Sequence, residues 1–269
     1  MASYYNECPD FRVPPAAVRK KVGVIGGGPA GVQAVKTLLE RGHAVTLYEK
    51  TGLIGGQVKL AKEPFYKEDM RQYFDYLRGF IENSGLTNPD LTIHGLEATP
   101  ENIAVHGFDA LVIAIGAVPY KPRGLERYEW VADYRGGAKN IVIVGAGAVG
   151  IECAVDLAHK GAKVTILEAA PNHGLGSDMS PLGGGQDLLD RCEELGVELI
   201  YNVGDAGARI AELAPEIVLL ACGMTPLTEQ ARAFQNAAPN TEVFLVGDCK
   251  AVGDIRDATR SAFEICREI

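Results

Sequence analysis

The sequence predicts an α/β protein that is built on two copies of the same strand–helix–strand unit. Three observations support this fold class. Short apolar runs that suit strands buried on both faces alternate with helical patterns. Two of these runs end in glycines with the spacing G-x-G-x-x-G. The whole unit around the first set of glycines then recurs later in the chain, which indicates an internal repeat of a supersecondary structure.

The first unit is Lys21–Lys50, where a strand over Val22–Gly26 leads into Gly26, Gly28 and Gly31. The first glycine permits a tight turn, the second lets the backbone approach a pyrophosphate, and the third lets the helix pack close to the strand. A helix over residues 31–41, a strand over residues 44–48 and an acidic residue, Glu49, follow in order. Glu49 is well placed to accept hydrogen bonds from a ribose. Strand, glycines, helix, strand and acid in this register predict a dinucleotide site.

The second unit is Asn140–Ala169, which repeats the first at a constant offset. Its glycines are Gly145, Gly147 and Gly150, and Glu168 takes the position of the acidic residue. Two Rossmann-like units in one chain suggest a redox relay with one site for a flavin and one for a nicotinamide nucleotide.

Further elements are predicted between and after the two units. The patterns predict helices over residues 69–84, 186–195 and 255–269, strands over 91–94, 197–201, 216–223 and 242–248, and a glycine-rich loop over 171–185. The segment 108–119 is predicted as another buried strand, which ends at Gly116. A glycine pair, Gly55–Gly56, would let the chain pass close to a bound cofactor, although a plain flexible turn also explains it.

Composition excludes several classes of function. The chain has 269 residues, a net charge of −9 and a pI near 5.1, which argues against nucleic-acid binding. No apolar run approaches the roughly 20 residues of a membrane helix, and the first residues show no signal-peptide core, so we expect a cytoplasmic protein without membrane association. The six cysteines form no C-x-x-C pair, which disfavours a disulfide reductase, and the five histidines lack metal-ligand spacing. We therefore expect no metal site.

The order of motifs resembles a known family. GGGPAG, Glu49, GGQ, AIGAVP, GAGAVG, Glu168, ACG and VGDC follow one another as in flavoproteins with two dinucleotide-binding domains. From Lys20 onward the chain is similar to the C-terminal half of the old yellow enzyme-like reductases, a group that includes 2,4-dienoyl-CoA reductase, 2-enoate reductase and trimethylamine dehydrogenase.

The resemblance implies that the first unit binds FAD and the second binds NAD(P)H. Gln57 would then lie near the flavin, and Asp248 would bind the ribityl chain or a flavin phosphate. The candidate cofactor-binding residues are Gly26, Gly28, Pro29, Ala30, Gly31, Glu49, Lys50, Gly56, Gln57, Ala114, Gly116, Gly145, Gly147, Val149, Gly150, Glu168, Gly223, Gly247 and Asp248. No residue is assigned as a catalytic acid, base or nucleophile.

The resemblance also implies that the second domain is inserted into the first, because the segment FLVGDC resembles an element that returns to the FAD site. The FAD-binding domain is expected to comprise residues 1–119 and 226–269, and the NAD(P)H-binding domain residues 120–225. Two departures from the relatives are expected. The chain carries no barrel with FMN and an iron–sulfur cluster, and a short interval after Tyr201 replaces a longer β-meander.

These features predict an FAD-dependent NADH oxidoreductase module that passes electrons to a partner protein or domain of the FMN/iron–sulfur type, with a hetero-oligomer as one arrangement. Two alternatives stay open. One is a redox-inactive subunit that binds ADP in place of FAD, and the other is a self-sufficient NADH oxidase or quinone reductase. NADH is predicted over NADPH because Glu168 would repel a 2′-phosphate and is followed by Ala169 and Ala170. The alternative is that an arginine from another part of the chain, such as Arg191 or Arg209, compensates for the charge of Glu168 and binds a 2′-phosphate.

Overall fold

A computed structural model describes residues 12–104, 106–175 and 184–269. The strands in this part of the chain are β1 (Lys21–Ile25), β2 (Ala44–Tyr48), β3 (Leu91–His94), β4 (Ala110–Ile113), β5 (Ala117–Pro119), β6 (Glu129–Trp130), β7 (Asn140–Val144), β8 (Lys163–Leu167), β9 (Glu198–Ile200), β10 (Ile217–Leu220), β11 (Met224–Pro226) and β12 (Glu242–Leu245). The α-helices are α1 (Pro29–Glu40), α2 (Val58–Ala61), α3 (Glu68–Thr87), α4 (Pro100–Ala104), α5 (Ala148–His159), α6 (Gly184–Glu194), α7 (Ala206–Leu213), α8 (Thr228–Ala237) and α9 (Ile255–Cys266).

Short 3₁₀ turns lie at Val131–Asp133 and Gly247–Cys249. The described residues divide into two compact units. The first contains the described parts of residues 1–62 and 68–118 together with residues 226–269, and the second contains residues 63–67 and the described part of 119–225.

The first unit is built on a five-stranded parallel sheet with the order β12-β4-β1-β2-β3. One face of the sheet packs against α1, α3 and α9 through buried apolar side chains such as Leu38, Leu77 and Ala262. The other face packs against α4 and α8 through Ile103 and Phe234. Because the sheet is buried on both faces, its strands read as the continuous apolar runs seen in the sequence.

The second unit is built on another five-stranded parallel sheet, with the order β6-β10-β7-β8-β9. Helices α5 and α6 cover one face together with Val131. The other face is covered by Leu125, from the segment before β6, and by Ile210 of α7. The predicted α/β class with parallel sheets is therefore confirmed.

A five-residue segment, Glu63–Lys67, lies with the second unit although both of its flanks belong to the first. The Tyr66 hydroxyl donates to the Glu152 carbonyl of α5 at 3.0 Å, and the Phe65 ring stacks on His159 at 3.9 Å between centroids. Lys67 forms an ion pair with Glu152. The expected domain boundaries assign this segment to the first domain, because residues so close in sequence to α3 carry no local signal for a distant contact.

Several local predictions need correction. The strand predicted within residues 108–119 is expected to end at Gly116, whereas β4 ends at Ile113 and a separate short strand, β5, follows Gly116, whose φ is +77°. Helices α2, α4, α7 and α8 were not predicted. Gly184 and Gly185, which were predicted as loop, belong to α6. The remainder of that loop from residue 176 onward and the N-terminal residues 1–11, including Cys8, lie outside the described residues. None of the described helices has the length and apolar content needed to cross a bilayer.

Candidate functional site

The turn between β1 and α1 is fixed by two glycines that the backbone itself requires. Gly26 has a φ of +106°, and a Cβ there would stand 2.4 Å from the Ala114 carbonyl oxygen at the end of β4. A Cβ on Gly31 would stand 1.8 Å from the Gly26 carbonyl oxygen. Both contacts are impossible for a side chain, so the close approach of β1, β4 and α1 depends on these glycines.

The N-terminus of α1 is open toward this turn. Its N-cap is Gly28, no side chain of the described residues caps it, and Pro29 occupies the first turn. A Cβ on Gly28 would meet no described atom nearer than the Gly56 Cα atom at 3.8 Å. Uncapped N–H groups at a helix N-terminus carry partial positive charge and attract anions such as phosphate. The space beside Gly28 therefore suits a pyrophosphate.

Glu49 is held against the glycine turn by hydrogen bonds to both carboxylate oxygens. Oε2 accepts from the Gly27 N–H at 2.8 Å, and Oε1 accepts from the Thr51 N–H at 2.9 Å and from the Thr51 hydroxyl at 2.8 Å. The side chain is buried. A carboxylate has about four lone-pair directions, so with these three donors in place it can still accept from one ribose hydroxyl.

A loop after β2 crosses the glycine turn closely. The Gly55 N–H donates to the Gly27 carbonyl at 2.8 Å, and a Cβ on Gly56, whose φ is +54°, would stand 2.8 Å from the Gly28 Cα atom. Gln57 Nε2 donates to the Ala117 carbonyl at 3.1 Å. The glycine pair noted in the sequence is thus required for a close approach rather than for a flexible turn.

The segment after β12 reaches the same helix end. Gly247 has a φ of +64°, and a Cβ there would stand 2.8 Å from the Ala30 Cβ atom. Asp248 is half-buried, and its Oδ1 accepts from the Gly253 N–H at 3.3 Å. Burial raises the pKa of the Asp248 carboxyl, and the Gly253 N–H offsets part of this rise. A half-buried carboxyl with such a long hydrogen bond retains capacity to accept from a ligand.

The second unit repeats this geometry. Gly145 has a φ of +110°, and a Cβ there would stand 2.4 Å from the Ala221 carbonyl oxygen at the end of β10. A Cβ on Gly150 would stand 2.0 Å from the Gly145 carbonyl oxygen. At Gly147, by contrast, a Cβ would meet no atom of the described residues within 4 Å. The packing of the described residues therefore does not require a glycine at this position. An anion bound at the α5 N-terminus would require one, because a side chain would keep the anion from the backbone.

Glu168 is oriented in the same way as its counterpart. Oε2 accepts from the Ala146 N–H at 2.7 Å and Oε1 accepts from the Ala170 N–H at 2.8 Å. The Gly174 N–H donates to the Ala146 carbonyl at 2.9 Å. Sequence reasoning missed Gly174, although it stands at the same offset from Gly55 as the other repeated glycines do.

Both glycine turns lie at the switch points of their sheets. From β1 the chain continues to β2 on one side, whereas β4 lies on the other side, and β7 is flanked in the same way by β8 and β10. Ligands in open parallel sheets bind at such points, beyond the carboxyl ends of the strands. The first turn brings together Gly26, Gly28, Pro29, Ala30, Gly31, Glu49, Gly56, Ala114 and Gly247, with Gln57, Gly116 and Asp248 on adjoining segments and Lys50 exposed to solvent.

The second turn opens into a cleft of about 920 Å³. The cleft contains every candidate residue of the second unit except Gly150, which lies beneath the turn: Gly145, Gly147, Val149, Glu168 and Gly223. The charged side chains among the described residues that line it are Arg123, Glu168 and Asp205. Arg123 and Asp205 were not predicted, because no motif marks either of them.

The arginines considered for a 2′-phosphate lie elsewhere. Arg191 pairs with Asp187 and Arg209 pairs with Glu212, and neither belongs to the described lining of the cleft. The five described cysteines are free, and the described residues contain no group of acidic, histidine and cysteine side chains that could hold a metal ion.

Comparisons with known proteins place this geometry among relatives. A family model described as pyridine nucleotide-disulphide oxidoreductase matches residues 20–262. The chain is 32% identical over 280 residues to an NADH oxidase of Thermoanaerobacter brockii, covering 94% of this chain and 42% of the relative. It is 28% identical to a cinnamate reductase of Clostridium sporogenes, covering 93% of this chain and 39% of that protein.

Among solved structures, a 2-naphthoyl-CoA reductase in complex with 2-naphthoyl-CoA superposes with a TM-score of 0.85 at 26% identity. The alignment covers 97% of this chain and 41% of that one. The chain thus spans about two fifths of the length of these relatives.

Proposed function

Because the chain belongs to the pyridine nucleotide-disulphide oxidoreductase family, we propose that it is an FAD-dependent module that passes electrons from NADH to a partner protein or domain. The family match confirms the prediction of a flavin- and pyridine nucleotide-dependent oxidoreductase. In the proposed arrangement, residues 1–119 and 226–269 form the FAD-binding domain. Residues 120–225 form an NADH-binding domain inserted into it.

One observation carries the proposal. Each unit has, at the switch point of its own sheet, an uncapped helix N-terminus among its described residues and a carboxylate that the glycine turn already orients. Two such sites in one chain serve two dinucleotides, and an oxidoreductase with two dinucleotides can move electrons from one to the other.

The first site suits FAD. Glu49 is buried with three donors, and the loop over Gly56 and the turn at Gly247 close on the helix end. Such an enclosed site favours a cofactor that stays bound. In this assignment the α1 N-terminus holds the pyrophosphate, Glu49 the adenosine ribose, and Asp248 the ribityl chain or a phosphate. When bound at this site, FAD would supply the hydride and electron-transfer chemistry, and the protein would supply its binding and orientation.

The second site suits NADH. Its cleft is open, and its acidic residue is followed by Ala169 and Ala170 rather than by a cation. In this assignment Glu168 accepts from the ribose hydroxyls, and its charge disfavours a 2′-phosphate. The α5 N-terminus beside Gly147 holds the pyrophosphate.

The proposed acceptor is a protein or domain of the FMN/iron–sulfur type, which makes a hetero-oligomer one form of the working enzyme. The cinnamate reductase and the 2-naphthoyl-CoA reductase are named for organic substrates, and the NADH oxidase is named for its nucleotide. We propose that this chain accepts electrons from NADH but does not by itself reduce such organic substrates, because none of its described residues is placed as a substrate acid or base.

The test begins with the nucleotide released from the denatured protein, identified by mass spectrometry. Anaerobic titration with NADH then follows the visible flavin absorption, and candidate enoates are added to the reduced protein. Bleaching by NADH without reoxidation by an enoate supports the proposal. A colourless protein that releases ADP would establish a nucleotide-binding subunit instead, and steady turnover with oxygen or quinone alone would establish a self-sufficient oxidase or quinone reductase.

A further inference from the structure

We propose that Arg123 is the cation that binds the pyrophosphate of the nicotinamide nucleotide in the second unit. This inference rests on the proposed function, because it assigns a residue to the nucleotide site described above. Among the described residues that line the cleft, Arg123 has the one positively charged side chain, and the other charged lining residues, Glu168 and Asp205, are acidic. A dinucleotide adds about two negative charges at its pyrophosphate, so a cation is needed to balance the negative charge in the cleft.

The backbone around Arg123 holds the residue in place. The Leu125 N–H donates to the Pro122 carbonyl at 3.0 Å, which closes a β-turn with Arg123 at its second position. Gly124, at the third position, has a φ of +85°, as a type II turn requires. Leu125 is buried in the core below β7 and β10. The turn thus fixes the backbone that carries the exposed Arg123 side chain, which reduces the backbone entropy lost on binding a ligand.

Side-chain contacts fix the same turn from outside. The Gly124 N–H donates to Glu126 Oε2 at 2.8 Å, and Lys121 Nζ donates to the Glu126 carbonyl at 3.3 Å. Among the residues that the structure describes, no acidic side chain forms an ion pair with Arg123. Its guanidinium is therefore available to an anionic ligand.

The position of the turn selects the pyrophosphate rather than the adenosine ribose. The Tyr120 N–H, three residues before Arg123, donates to the Gly223 carbonyl at 2.9 Å, and Gly223 follows β10. Glu168 follows β8, on the opposite side of β7. Arg123 thus enters the cleft from the β10 side of the glycine turn, away from the carboxylate that is assigned to the ribose. Arginine binds phosphate oxygens through a planar fork of donors.

The experiment compares Arg123→Gln with Arg127→Gln in the flavin-loaded protein. Arg127 lies in the same segment and is exposed, but it contacts Tyr128 and is outside the described lining of the cleft. Binding of ADP-ribose, which carries the pyrophosphate, and of adenosine, which does not, is measured by calorimetry at two salt concentrations. Flavin content and melting temperature serve as controls for folding.

We expect Arg123→Gln to weaken ADP-ribose binding roughly tenfold, as for loss of a hydrogen-bonded charge, and to reduce its salt dependence. Adenosine affinity should not change, Arg127→Gln should behave as the wild type, and Arg123→Lys should recover part of the loss. Unchanged ADP-ribose affinity in Arg123→Gln, or an equal loss for adenosine, would overturn the assignment of Arg123.

Two further outcomes separate this inference from the proposed function. A wild-type protein that binds no ADP-ribose would overturn the nucleotide site itself and the assignment with it. If Arg123→Gln weakens 2′-phospho-ADP-ribose far more than ADP-ribose, Arg123 binds a 2′-phosphate, which would overturn the pyrophosphate assignment while leaving the nucleotide site intact.

Discussion

The two glycine turns of this protein have the same arrangement of glycines and carboxylate, but they differ in how closely the neighbouring loop covers the turn. In the first unit, Glu49 is buried with three donors, and Gly56 presses on the turn. In the second unit, Glu168 is half-buried and has two donors. Gly174 takes the place of the loop glycine there, and a Cβ on Gly174 would stand 3.5 Å from the Gly147 Cα atom, which is a looser contact than the one at Gly56. The same motif can thus serve a retained cofactor or an exchanging coenzyme, according to what closes over it.

The largest effect is expected where the two units are alike. Gly31→Ala and Gly150→Ala each place a Cβ about 2 Å from a backbone oxygen of the preceding turn. Overpacking against the backbone should lower the free energy of unfolding by about 3 kcal/mol in each case. Denaturant titration measures this, and Gly79→Ala is the control, because it lies within α3 where a Cβ meets no described atom within 4 Å. Equal stability of all three variants would contradict the close approach of strand and helix.

A second variant separates fold from function within the open turn. Gly147→Ala fills space that no atom of the described residues occupies, at a backbone φ of −75° that alanine adopts freely. We therefore expect an unchanged melting temperature and an affinity for NAD⁺ that falls more than about tenfold, since the pyrophosphate must approach this backbone. Calorimetry on the flavin-loaded protein provides the affinity. A variant that binds NAD⁺ normally would show that the pyrophosphate lies elsewhere.

The choice of coenzyme should follow Glu168. Glu168→Ala removes the charge that repels a 2′-phosphate and also the acceptor for the ribose hydroxyls. The ratio of NADH to NADPH in kcat/KM for flavin reduction should therefore fall by roughly tenfold, with the flavin content unchanged. Glu49→Ala is the matched variant of the first unit, and it should lower flavin content instead. Preference for NADPH in the wild-type protein would show that the prediction of NADH is wrong.

Asp248 gives a pH-dependent effect of smaller size. Its raised pKa means that the folded state disfavours the charged carboxyl, so stability is lost as pH rises from the ordinary carboxyl range through the folded pKa. Asp248→Asn removes that loss. Without flavin, the variant should match the wild type in acid and melt slightly higher at neutral pH, yet it should retain FAD less well. A variant that melts lower at neutral pH would indicate that the carboxylate stabilises the fold.

The smallest expected effect tests the closure of the first site. Thr51→Ala leaves Glu49 with two donors, which is the number that Glu168 has. Loss of one hydrogen bond to a charged group is worth about 1 to 2 kcal/mol, part of which water replaces because Thr51 is exposed. FAD release, followed by fluorescence after dilution, should accelerate a few-fold. Release that does not change would show that the Thr51 hydroxyl has no part in cofactor retention.

The parallel sheets and both glycine turns could be read from the amino-acid sequence without any coordinates. Buried parallel strands are apolar throughout, and the glycines at 26, 31, 145 and 150 are required by backbone contacts that no other residue permits. The acidic residue after the second strand of each unit can also be predicted from the sequence, because the helix and strand between them fix its distance from the glycines. These features are local, and their repetition at one offset supports each of them.

Features that join residues far apart in the chain became visible only in three dimensions. Glu63–Lys67 lies with the second unit because Tyr66 and Lys67 contact Glu152 of α5. Arg123 lines the cleft of the second unit, and the Leu125 side chain two residues later is buried against the strands of the same unit. Hydrophobic periodicity reports which face of a strand or helix is buried, but it does not report which distant residues that face will meet.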